Sequence, residues 1–198
     1  LTYNQQSGFG RVRKYLNIEH GPDSRNSAGR HDGIFGAHQE RIFAGFRELT
    51  ALSAEHGHGK PYWALPPSIR IRFRDTVMAL FRRALNRPLS RRVVELAARY
   101  AERLLTRYLM PVERWQVYLQ VMESFMEGGD TRAALPNITV PTTVMIGRHS
   151  RYFQMEAQLE MAAQIPNAQA VVFENSGHVP IVDQPVRFQR EFSRFLLS

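Results

Sequence analysis

Apolar and polar positions divide the chain into two styles. From Ile34 to Met126 the apolar residues recur at helical spacing. Phe35, Ile42, Phe46, Leu49 and Leu52 fall near one face, and "HGHGKP" ends that run. "PSIRIRFRDTVMALFRRALN" repeats the pattern through Ile71, Val77, Leu80, Phe81 and Leu85. "SRRVVELAARYAERLLTRYL" has a serine cap at Ser90 and an apolar stripe through Val94, Ala97, Ala101, Leu104 and Leu105. Pro111 suits the first turn of a further helix, "PVERWQVYLQVMESFM", which "GGD" stops.

On either side of this helical stretch the chain reads differently. "RVRKYLNI" at 11–18 is a basic lead-in to a short buried strand, ended by the turn "HGPDS", and 24–33 is a polar loop. After "LPNITVP" come a strand "TTVMIG" at 142–147, an amphipathic helix at 154–165 and a second strand "AQAVVFE". A last helix near 186–197 puts Phe188, Phe192, Phe195 and Leu196 on one side. Strand, helix, strand, helix predicts a parallel sheet with crossover connections, so the fold class is α/β.

Parallel sheets gather reactive groups at the carboxyl ends of their strands. Three strands here end in polar candidates: Glu19, His20 and Asp23; His149 and Ser150; and His178. The string that carries His178, "IPNAQAVVFENSGHVPIVDQPVRF", resembles the end of an α/β-hydrolase, with "ITVPTTVMIG" as that superfamily's penultimate strand. "GFGRVRKYLNIEHGP" resembles its sixth strand, the one before the cap insertion. The resemblance implies that residues 1–23 are core, 24–136 a helical cap and 137–198 the last two strands with the C-terminal helix.

On that resemblance His178 is the general base and a carboxylate orients it. The superfamily's usual acid follows the penultimate strand as G-x-x-D, but this chain has Gly147, Arg148, His149 and Ser150 there, and a hydroxyl cannot hold an imidazolium. Some members, including many haloalkane dehalogenases, carry the acid after the sixth strand instead. That makes Glu19 the expected acid and Asp23 the second candidate; the bland alternative is that Glu19 only ends a strand.

The family's nucleophile sits in a G-x-S-x-G-like elbow between a strand and a helix. The nearest string, "QQSGFG", has Gln5 in place of the first glycine and too few residues before Lys14 for the helix that must follow, so Ser7 is rejected. The expectation is a fragment whose elbow lies upstream of Leu1, inactive by itself. The intact protein would hydrolyse a small, fairly apolar substrate, most simply a carboxylic ester. The rivals are a dehalogenase or epoxide hydrolase with an aspartate nucleophile, and a non-catalytic binding protein on the same fold.

The absence of cysteine removes thiolate chemistry and disulfides and leans the compartment toward cytoplasm. The formal net charge of +8 arises between residues 60 and 110, where Lys60 and eleven arginines face Asp75, Glu95 and Glu102. No nucleic-acid motif accompanies them, so a solvated helix face leads, ahead of attraction for an anionic substrate, lipid or membrane surface. "HGHG" at 56–59 reads as a loop rather than a metal site, and His31 with Asp32 as a flexible loop pair that could line an entrance. Trp63, Trp115, Met122, Phe125 and Met126 serve either an apolar pocket or helix packing. No cofactor or metal is expected. The expected partners are a small-molecule substrate, the missing N-terminal half of the fold and, through an open sheet edge, a second copy of the chain.

Overall fold

The computed structural model describes residues 8–57, 59–100 and 115–198. Three strands, β1 (Tyr15–Ile18), β2 (Thr142–Gly147) and β3 (Ala168–Phe173), form a parallel sheet in that order. Between β1 and β2 stand α1 (Gln39–His56), α2 (Pro67–Ala84), α3 (Pro88–Tyr100) and α4 (Trp115–Glu127). Between β2 and β3 runs α5 (Met155–Ala163), and α6 (Pro180–Asp183) and α7 (Pro185–Leu197) follow β3. Parallel neighbours need such long crossovers because each strand must re-enter at the same end of the sheet.

The register pairs Ile18 with Met145 and Gly147 with Phe173. All six residues of β2 are buried, as a central strand requires. The short buried strand expected within 11–18 is corrected in its burial: it spans Tyr15–Ile18, where only Asn17 is buried and Ile18 is 39% exposed. Among the described residues β1 is paired on one side only.

One apolar cluster holds the helical stretch together. Phe43, Phe46 and Leu49 of α1 meet Phe73, Val77 and Leu80 of α2 and Trp115, Leu119 and Met122 of α4. Trp115 and Met122 are therefore packing core, whereas Trp63 is 38% exposed and Phe125 and Met126 lie partly buried at the cluster's margin. A second cluster, with Val144 and Ile146 of β2 and Met161 and Ala162 of α5, underlies the sheet. The last helix keeps the expected aromatic face, with Phe188 near Phe173 and stacked on Phe192.

Several boundaries differ from the periodicity. Phe35 and Gly36 adopt left-handed φ of 66° and 51°, which an α-helix cannot contain, so a 3₁₀ turn occupies Gly36–His38 and α1 begins at Gln39. Helix α3 begins at Pro88, placing Ser90 inside its first turn instead of at the cap. The buried face of α2 runs through Ile69, Phe73, Val77 and Leu80, leaving Ile71 48% exposed. Pro111 and the stripe at Ala101, Leu104 and Leu105 lie outside the described residues, as does His58 of "HGHG".

Asp32 is an anchor and not part of a flexible pair. It is buried, its carboxylate accepts the backbone N–H and the hydroxyl of Ser27, each at 2.8 Å, and Arg132 lies 3.0 Å away. Burial alone would raise its pKa, but the Ser27 hydrogen bonds and the Arg132 charge outweigh burial and hold it below the ordinary value. A depressed carboxylate stabilises the fold above its unfolded pKa, about 3.9, and loses that contribution as pH falls through the folded value. Asp32→Asn is expected to cost about 2 kcal/mol at pH 7 in urea unfolding, with the gap from wild type closing as pH drops below about 4.

Candidate functional site

The polar ends of β1, β2 and the loop after β3 converge on one side chain, Glu19. The ladder continues to its backbone, whose N–H donates to Met145 O at 2.9 Å. There the chain turns sharply: Glu19 has φ of 53°, in the left-handed region that non-glycine residues seldom occupy. The turn ends β1 while β2 continues to Gly147. The N–H of Gly147 donates to Glu19 Oε1, which takes the place of a strand carbonyl. Gln158 Nε2 of α5 donates to the same oxygen at 3.2 Å.

The other oxygen, Oε2, lies 3.3 Å from Nδ1 of His178. Glu19 is only 1% exposed. A carboxylate accepts, so Nδ1 carries the hydrogen and Nε2 is left as the ring atom able to take a proton. The ring plane is fixed from another direction by Tyr152, stacked at 4.1 Å between centroids and 6° between planes. Burial pushes the Tyr152 phenol far above its ordinary value, so it serves here as a neutral aromatic face.

Backbone packing sets the position of the His178 loop. A Cβ on Gly147 would lie 2.0 Å from Gly177 O, and one on Gly177 would lie 2.6 Å from Ala84 O. Glycine at both positions lets three backbones stack. The N–H of His178 then donates to Ala84 O at 2.8 Å, tying the loop to the end of α2. Asp183, fully buried, accepts from the N–H groups of Gly177 at 2.8 Å, Asn86 at 3.0 Å and Arg87 at 3.2 Å.

Of the site residues expected from sequence, the structure brings Glu19 to His178 and leaves Asp23 elsewhere. Asp23 Oδ1 accepts from Arg25 N at 3.0 Å and Gly129 N at 3.1 Å, closing the loop after β1 onto the end of α4. Ser150 accepts from Tyr152 N at 3.4 Å. His20 bonds Gly21 O and packs on Phe153, while His149 is exposed. Gln158, Asp183 and Tyr152 went unnoticed in the sequence. Asp183 had a signal, a carboxylate just before Pro185 and a helix, but two of the three groups it satisfies, Asn86 and Arg87, lie about a hundred residues away in the chain. Among the described residues no cluster of histidines and carboxylates could hold a metal ion. No described helix is long and apolar enough to cross a membrane.

Comparison with known proteins gives a consistent assignment of fold. The sequence profile of the alpha/beta hydrolase family matches residues 30–191. The pimeloyl-(acyl-carrier protein) methyl ester esterase of Aliivibrio salmonicida is 34% identical over 67 residues, 34% of this chain and 26% of that protein. The 2-hydroxy-6-oxononadienedioate/2-hydroxy-6-oxononatrienedioate hydrolase of Cupriavidus pinatubonensis is 37% identical over 67 residues, 34% of this chain and 23% of that protein. An esterase from Exiguobacterium antarcticum superposes over the whole of this chain and 62% of its own length, with a TM-score of 0.70 and 17% identity. The chain thus spans less than two thirds of the length of each relative.

Asp183→Ala would leave three backbone N–H groups without their acceptor. A loss of about 2–4 kcal/mol in chemical unfolding is expected, with faster amide exchange at Gly177, Asn86 and Arg87.

Proposed function

The chain belongs to the alpha/beta hydrolase family, and from that premise we propose that it carries the general base and the acid of a hydrolase acting on a carboxylic ester with a mainly apolar body. The observation that supports this most is the contact of His178 Nδ1 with the buried Glu19 carboxylate at 3.3 Å. Such a pair holds the imidazole in one tautomer and steadies the positive charge that forms when Nε2 takes a proton. A non-glycine residue at φ of 53° costs free energy, and strain of this kind is concentrated where geometry serves function.

In this reading His178 Nε2 takes a proton from a nucleophile, and later from water. The sequence holds no G-x-S-x-G string, so in this reading the nucleophile comes from residues beyond these 198, in the remainder of the fold. The open edge of β1 is the proposed place where that remainder pairs. The methyl ester esterase among the relatives favours ester chemistry. A second reading, an aspartate nucleophile acting on haloalkanes or epoxides, draws on the acid standing after β1 rather than after β2.

The test is steady-state kinetics of the full-length protein on short-chain esters, haloalkanes and epoxides. His178→Ala is expected to lower kcat by at least about a hundredfold, and Glu19→Gln by a similar factor, each with KM little changed. Wild type and His178→Ala equally inert across the panel would favour a binding role on the same fold. Turnover of haloalkanes alone would favour the aspartate reading.

A further inference from the structure

The contact with Glu19 leaves the His178 imidazole underdetermined. At 3.3 Å it is longer than a charge-assisted hydrogen bond at its best, about 2.7–2.9 Å. One such bond restrains one ring atom, so the ring can still tilt about the line from Nδ1 to Oε2. The loop that bears His178 is held through its backbone, by the N–H of His178 on Ala84 O and that of Gly177 on Asp183, and neither contact reaches the ring. A second restraint on the plane is needed for Nε2 to point in one direction.

Tyr152 supplies a contact of that kind. Its ring lies parallel to the imidazole, with 6° between planes and 4.1 Å between centroids, so one face of His178 is covered. His20, by contrast, meets Phe153 and Phe125 at 35° and 36°, as space-filling neighbours do. Tyr152 is itself seated from two sides. Its carbonyl accepts from the N–H of Phe35 at 2.5 Å, its N–H donates to Ser150 Oγ at 3.4 Å, and the Phe35 ring stands edge-on to it at 4.8 Å and 67°. Phe35 is buried and meets Phe43 of α1 edge-on at 6.3 Å. Burial keeps the Tyr152 phenol neutral, and a neutral aromatic face is negative at its centre, which attracts a cation stacked on it.

We propose that Tyr152 is a positioning residue of the candidate site: its ring holds the His178 imidazole in the plane in which Nδ1–H meets Glu19, and its face stabilises the positive charge that the imidazole gains when Nε2 takes a proton. The proposal rests on the reading of His178 as general base given above. The hydroxyl has no part in this role, so phenylalanine should serve as well, and an aliphatic side chain should not.

The full-length protein is measured in two ways, by steady-state kinetics on short-chain esters and by the nitrogen NMR shifts of the His178 ring, assigned against His178→Ala. Tyr152→Leu is expected to lower kcat by about fivefold or more with KM little changed, the loss of one cation–aromatic contact. The neutral imidazole should be mainly the Nδ1–H tautomer in wild type and a mixture of tautomers in Tyr152→Leu. Tyr152→Phe should match wild type in both readouts. If Tyr152→Leu fails to fold, ring-fluorinated phenylalanines in place of Tyr152 keep the shape while drawing electrons from the face, and kcat should fall with each added fluorine.

Wild-type kcat with an undisturbed tautomer in Tyr152→Leu, or kcat flat across the fluorinated series, overturns the proposal. So does Tyr152→Phe as impaired as Tyr152→Leu, which assigns the effect to the hydroxyl. If no ester is cleaved while the tautomer mixture appears only in Tyr152→Leu, the ester reading fails and the positioning role stands. If esters are cleaved and neither readout answers to Tyr152→Leu, the positioning role fails and the ester reading stands.

Discussion

The Glu19 carboxylate is the point on which the candidate site turns. It is buried, and a buried carboxylate must have its lone pairs occupied. Here the partners come from three separate parts of the chain: the end of β2 through Gly147, α5 through Gln158, and the loop after β3 through His178. Removing any one partner leaves an unmet acceptor in the interior, so the same interaction that orients the imidazole also fixes how the three segments meet. The left-handed backbone at Glu19 is the local cost of that arrangement, since an extended residue would have continued β1 and directed its side chain to one face of the sheet.

Steric constraints act beside this electrostatic one. Gly147 and Gly177 allow the end of β2, the His178 loop and the end of α2 to stack at distances that no Cβ would permit. Asp183 then satisfies the N–H groups that this stacking turns inward. The helical stretch is therefore joined to the sheet at the site itself. The aromatic packing extends the junction, because Tyr152 touches both Phe35 and the His178 ring, and Phe153 belongs to the helical cluster. Any change in how the helices sit is felt by the imidazole.

Charge is distributed with similar economy. Much of the basic surplus on α2 is neutralised locally by carboxylates on neighbouring helices, as an exposed helix face allows at little cost.

Much of the architecture was legible because it rests on local regularities. The spacing of apolar residues located the two later strands and the helices, since burial on one face imposes a period on the sequence itself. The string around His178 was equally readable, its glycine and prolines marking a tight loop before a helix. Glu19 could be named as a candidate from its place after a strand, but sequence left it level with a mere strand end and kept Asp23 as an alternative. Only the three-dimensional arrangement separates them: a left-handed turn at Glu19 aims its carboxylate at His178, while Asp23 is consumed by the backbone of Arg25 and Gly129. Gln158 and Tyr152 were beyond reach for the same reason. Periodicity records which face of an element is buried, whereas which distant side chain meets which, and which charge finds no partner, is decided only when the elements pack.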